Sequence, residues 1–156
     1  MLFVCTGNTC RSVIAQGLFE KMWKQIKGNM YNLEVSSAGV GAMDGMNASP
    51  EALEILRGEG IDFSRHRSRA LTPEMVKRAW NIFTMTRAQK NYILANFPGA
   101  EGKVWIMKEY AFGLDRGDIS DPYGMGIETY RLAAGEIENA LKKIIVNLDR
   151  LEEKPG

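Results

Sequence analysis

The spacing of apolar and polar residues changes repeatedly along this chain. Leu2–Val4 is a short apolar run and reads as a buried strand. Val13–Met22 sets Ile14, Leu18, Phe19 and Met22 at helical spacing. Tyr31–Ser37 ("YNLEVSS") alternates and predicts a second strand, followed by a glycine-rich loop, "AGVGAMDGMNASP". Ser49 before Pro50 is a helix-start signal, for a helix to about Arg57. "GEGIDFSRHRSRAL" is a connection, and Thr72-Pro73-Glu74 repeats the start signal. Asn81–Met85 ("NIFTM") and Lys103–Met107 ("KVWIM") read as strands three and four, with a helix over Thr86–Asn96 between them. "GDISDPYGMG" is a loop, Glu128–Leu151 a long amphipathic helix, and "EKPG" a frayed tail. The alternation of strands and helices predicts a three-layer α/β/α fold around a four-stranded parallel twisted sheet.

Length and composition narrow the picture. A chain of 156 residues with 45% hydrophobic and 25% charged residues is expected to form one domain, 1–156, with a sizeable core. A net charge of +1 provides no broad field to attract nucleic acid or an anionic membrane. There is no long apolar run and no export signal, so the sequence reads as cytoplasmic. Cys5 and Cys10 are the only cysteines, and they lie too close together to staple a fold. His66 is the only histidine, so no four-ligand zinc set is expected. Trp23, Trp80 and Trp105 read as core or half-buried. The cluster Arg65, His66, Arg67, Arg69 reads as solvated surface.

The chemistry concentrates in the loop after the first strand, "CTGNTCRS". Small polar residues let a loop turn its N–H groups inward, and the helix behind it adds more N–H groups and a partial positive charge. Gly7 and Asn8 suit the left-handed conformation that such a nest needs. Arg11 adds a planar fork for two phosphate oxygens. The same field favours the thiolate of Cys5, giving a nucleophile aimed at a bound phosphoryl group. Ser12 can donate to that sulfur and ease its later departure. The plain alternative is a cysteine packed in an apolar strand. A leaving group needs an acid, and Asp121 in "SDPYG" is the candidate. Spacing alone does not separate that role from a surface turn.

The Cys-Thr-Gly-Asn-Thr-Cys-Arg-Ser loop and the late Asp-Pro-Tyr together resemble the low-molecular-weight protein tyrosine phosphatase family over nearly the whole chain. The resemblance implies a phosphate-binding loop after strand 1, formed by Thr6, Gly7, Asn8, Thr9, Cys10, Arg11 and Ser12. It also implies a two-step reaction without metal or cofactor. Cys5 attacks phosphorus to form a phosphocysteine, Arg11 holds the equatorial oxygens, and Asp121 serves first as acid and then as base. Asn8, Ser12, Ser37 and His66 match residues that brace the loop. Without the resemblance, His66 is an ordinary histidine and Ser37 a strand-end hydroxyl. Val13 departs from the proline usual in the family, with some loss of rigidity expected.

Thr9 and Tyr123 bear on the substrate. Tyrosine-directed members carry a bulkier aliphatic residue where Thr9 stands. Threonine there, with "SAGV", "MKEY" and "DPYGMGIETYR", is similar to the bacterial protein-arginine phosphatase branch. The expected partners are phosphorylated proteins, with phosphoarginine favoured over phosphotyrosine and the enzyme acting as a monomer. A thioredoxin-coupled arsenate reductase would need later cysteines, and none follows Cys10. A redox-sensing, anion-binding module is a further alternative. A reversible Cys5–Cys10 disulfide is expected as regulation of the enzyme.

Overall fold

The computed structural model describes residues 1–28, 33–113 and 117–152. Its elements run β1 (Leu2–Cys5), α1 (Arg11–Lys27), β2 (Ser36–Gly39), α2 (Pro50–Gly58), α3 (Pro73–Arg78), β3 (Ile82–Thr84), α4 (Arg87–Asn96), β4 (Val104–Ile106), α5 (Met107–Phe112) and α6 (Ile127–Glu152). All strand pairs are parallel, in the order β2-β1-β3-β4. Parallel neighbours need crossovers, and helices supply them.

Side chains of β1 alternate between two cores. Phe3 and Cys5 face one cluster with Phe19 of α1 and Ile137, Leu141 and Ile144 of α6. Leu2 and Val4 face another with Val76 of α3 and Ile93 of α4. With helices on both faces, β1 reads as a continuous apolar run, buried at every position. Phe3, Phe19 and Phe83 are fully buried, each contributing about 1.5–3 kcal/mol of transfer free energy. Phe3 stacks on Phe83 at 5.9 Å and tilts against Phe19 at 5.5 Å.

The helix starts follow their sequence signals. Ser49 accepts from Ala52 N–H, and Thr72 accepts from Met75 N–H. Thr86 and Gln89 form a reciprocal capping box. Three expectations are corrected. The second strand begins at Ser36 and runs on through Gly39, because Ser36–Gly39 pairs residue for residue with Leu2–Cys5; Leu33–Val35 lie before it, and Tyr31 and Asn32 fall outside the described residues. Met107 opens α5 rather than ending a strand; six residues are too few to show a helical period, and Ile106 provides no side-chain cap. Trp80 is 56% exposed, whereas Trp23 is buried. The "EKPG" tail also lies outside the described residues.

Candidate active site

Residues 6–10 join the end of β1 to the start of α1, and the carbonyls of Cys5, Thr6, Asn8 and Thr9 are tied down from outside. Val40 N–H donates to Cys5 O (3.0 Å), Gly41 N–H to Thr6 O (2.9 Å) and Ser49 N–H to Thr9 O (2.9 Å). His66 Nε2 lies 2.8 Å from Asn8 O, and since a carbonyl only accepts, Nε2 carries the proton. In a planar trans peptide the N–H points opposite to the preceding carbonyl. Fixing the carbonyls of Cys5, Thr6, Asn8 and Thr9 outward therefore turns the N–H groups of Thr6, Gly7, Thr9 and Cys10 the other way. Asn8 has φ 54°, the left-handed turn that closes the nest. Its N–H donates to Cys5 Sγ at 3.3 Å. Helix α1 has no side-chain cap, unlike α2, α3 and α4, and no acidic residue in its first turn. Its first N–H groups lack a side-chain acceptor, which suits an anion.

A directed hydrogen-bond network braces the loop. Arg69 N–H donates to Asn8 Oδ1 (3.1 Å), which fixes the orientation of the amide. Asn8 Nδ2 then donates to Ser12 Oγ (2.9 Å) and to Ser37 Oγ (3.0 Å). The Ser37 hydroxyl in turn donates to Gln16 Oε1 (2.7 Å). Ser12 accepts from Asn8, so its hydroxyl proton is free to point at Cys5 Sγ, 2.9 Å away. Asn8, Ser12 and Ser37 are all buried. Desolvation, and then the charges of Arg69 and Arg67, hold His66 below the usual histidine range, against the opposing pull of its bond to Asn8. His66 is therefore a neutral donor near pH 7 rather than part of a solvated cluster.

Arg11 is buried and donates through one amino group to Ile119 O (2.9 Å). Its other amino group lies 3.6 Å from Asp121 Oδ2, which is largely exposed. Asp121 Oδ1 accepts from Tyr123 N–H at 3.1 Å, a turn in the Asp-Pro-Tyr segment. Cys5, Thr6, Gly7, Thr9, Cys10, Arg11, Asp121 and Tyr123 line one cavity of about 170 Å³. The structure thus brings together the residues expected at the site, with Ser37 and His66 in support behind the loop. Val13 is fully buried in the core.

Sequence reasoning missed four contributors. Gly39 sits so close to the loop that a Cβ there would stand 2.4 Å from Thr6 O and 3.0 Å from Asn8 N. Gln89 is buried, donates to Thr6 Oγ1 (3.1 Å) and accepts from Met85 and Thr86 N–H. The Thr86-x-x-Gln89 spacing was a signal for the cap, but not for the reach to Thr6. Gln16 and Arg69 are the others, and no local pattern marks them.

Comparison with known proteins agrees with this geometry. The family model described as low molecular weight phosphotyrosine protein phosphatase matches residues 1–154. A protein-arginine-phosphatase of Geobacillus stearothermophilus is 43% identical over 154 residues, 99% of this chain and 94% of that protein. A probable low molecular weight protein-tyrosine-phosphatase, EpsP of Ralstonia nicotianae, is 36% identical over 141 residues, 90% of each chain. Among solved structures, YwlE arginine phosphatase, as a cysteine-to-serine mutant with a phosphorylated active-site serine, superposes with TM-score 0.87 at 36% identity over 95% of this chain and 94% of that one. An N–H nest around Cys5, a sheet that sets it between two helical layers, and a match from end to end lead to one conclusion: the chain belongs to the low molecular weight phosphotyrosine protein phosphatase family.

Proposed function

We propose that this cysteine-dependent protein phosphatase hydrolyses phosphoarginine on proteins, with residues 1–156 acting as one phosphatase domain. Cys5 Sγ attacks phosphorus in line with the leaving guanidine nitrogen. Arg11 and the loop N–H groups hold the three equatorial oxygens, where charge builds up. The bound phosphoryl group competes with Asp121 for the Arg11 guanidinium, which frees the carboxyl to reach the leaving atom. Asp121 then protonates that nitrogen as the P–N bond breaks. In the second step it takes a proton from water, which attacks the phosphocysteine. The Ser12 hydroxyl, aimed at the sulfur, stabilises it as it leaves.

The observation that carries the arginine reading is Thr9 in the wall of the cavity that Asp121 also lines. A guanidinium brings several N–H donors, and an aliphatic wall would leave some of them unpaired at a real cost. Thr9 and Asp121 offer oxygens. Relatives named as arginine phosphatases support the same reading. Tyr123, 75% exposed at the rim, favours phosphotyrosine as the second reading, since a phenol ring can pack on it. The deciding experiment compares kcat/KM on phosphoarginyl and phosphotyrosyl peptides in wild type and Thr9→Ile. Wild type is expected to prefer phosphoarginine, and Thr9→Ile to move the ratio at least about tenfold toward phosphotyrosine. Equal or faster phosphotyrosine turnover by wild type overturns the reading.

The two free thiols, Cys5 and Cys10, line the same cavity. This supports a reversible Cys5–Cys10 disulfide that shelters the nucleophile from over-oxidation. In that case peroxide inactivation is reversed by dithiothreitol in wild type and not in Cys10→Ala.

A further inference from the structure

Cys10 has a partner from the far end of the chain. The Tyr130 hydroxyl of α6 lies 3.1 Å from Cys10 Sγ, and both residues are at least 95% buried. Cys10 donates its S–H toward Ser49 Oγ at 3.6 Å, so the phenol is the donor in the shorter contact. Burial, reinforced by the bond to Cys10, pushes the Tyr130 hydroxyl well above the usual tyrosine range, so it keeps this proton at neutral pH. No step of phosphoryl transfer uses it.

We propose that Tyr130 is a positioning residue for the second thiol: its O–H parks Cys10 Sγ against α6 and delays disulfide closure with Cys5. The inference rests on the Cys5–Cys10 reading above. Hydrogen peroxide converts the Cys5 thiolate to a sulfenic acid and releases hydroxide. Cys10 Sγ then attacks that sulfur. The S–S bond forms, the S–O bond breaks, and the Cys10 proton leaves with the oxygen as water. Sγ must leave the phenol to make this attack, so the hydrogen bond stabilises the waiting state and not the product. Removing it is expected to speed closure about 2- to 10-fold, the range of one ordinary hydrogen bond. The delay lengthens the life of the sulfenic acid, a species open to other thiols.

The experiment treats reduced wild type and Tyr130→Phe with hydrogen peroxide and quenches at intervals. Dimedone adducts at Cys5 and the Cys5–Cys10 disulfide are both measured by peptide mass mapping. Tyr130→Phe is expected to close faster and carry less dimedone. In a Cys5→Ser background it is expected to raise the rate of Cys10 alkylation by iodoacetamide by a similar factor. Equal or slower closure in Tyr130→Phe, while wild type forms the disulfide, overturns the latch alone. A disulfide in neither protein overturns both the redox reading and the latch. A measurement on the unsubstituted chain avoids any folding defect of the variant. The Tyr130 Cζ NMR signal is expected to move when the disulfide forms, because the phenol loses its sulfur acceptor. A signal that stays in place overturns the latch.

Discussion

The two halves of the catalytic apparatus are held in opposite ways. The nucleophile loop, Cys5–Ser12, is anchored through its backbone and side chains to β2, to the segment 66–69 and to α4. Asn8 at its middle and Ser12 at its end are fully buried. The acid segment is anchored at Ile119, which is buried and bonded to Met85 O, and by Ser120 on Glu136. Beyond that, Asp121 and Tyr123 stand largely in solvent. The difference follows from what each half must do. An anion nest works only if its dipoles already point at the charge, since reorienting them during the reaction would cost the energy they supply. An acid that must reach past a bulky protein side chain gains from being able to move.

The largest test of this contrast is Asp121→Asn. It should lower kcat by about 10²–10⁴-fold while leaving the thermal midpoint nearly unmoved, because an exposed side chain contributes little to folding. A clear loss of thermal stability would mean that the acid segment is as firmly built in as the nucleophile loop. Gly39→Ala attacks the rigid half. The new methyl would meet Thr6 O and Asn8 N, both backbone atoms, so the loop itself must shift. About 1–3 kcal/mol of stability should be lost, with a fall in kcat of roughly 10–100-fold from the misplaced nest. Chemical denaturation and steady-state kinetics on the same preparation read both numbers. Normal activity would show that the nest tolerates displacement.

The smallest effect is a pH dependence. His66 titrates lower in the folded protein than its ordinary value of 6.5. The unfolded chain therefore binds more protons than the folded one between those two values, and stability rises with pH across that window. The contribution is complete above about 6.5 and is lost as pH falls through the lowered folded value. His66→Gln keeps an N–H for Asn8 O and cannot titrate, so its denaturation midpoint should vary less with pH between 5 and 7. An unchanged slope would remove His66 from the account of why the loop is rigid.

Local chemistry made much of the molecule readable from the sequence. Ser49-Pro50, Thr72-Pro73 and Thr86 start helices through bonds that span only three residues, so their signals are complete in the sequence. "CTGNTCRS" carries its own turn former, nucleophile and cation, and its meaning survives without knowledge of the rest. Tertiary structure alone decided the contacts made at long range. It set Arg69 N–H on Asn8, Gln89 on Thr6, Gly39 against the loop backbone and Tyr130 on Cys10. The first three pairings depend on the order and register of the parallel strands, which bring residues 39, 69 and 89 to the end of β1 where Cys5 sits, and the fourth on the packing of α6. The sequence contains those residues, but only the packed sheet determines that they are neighbours.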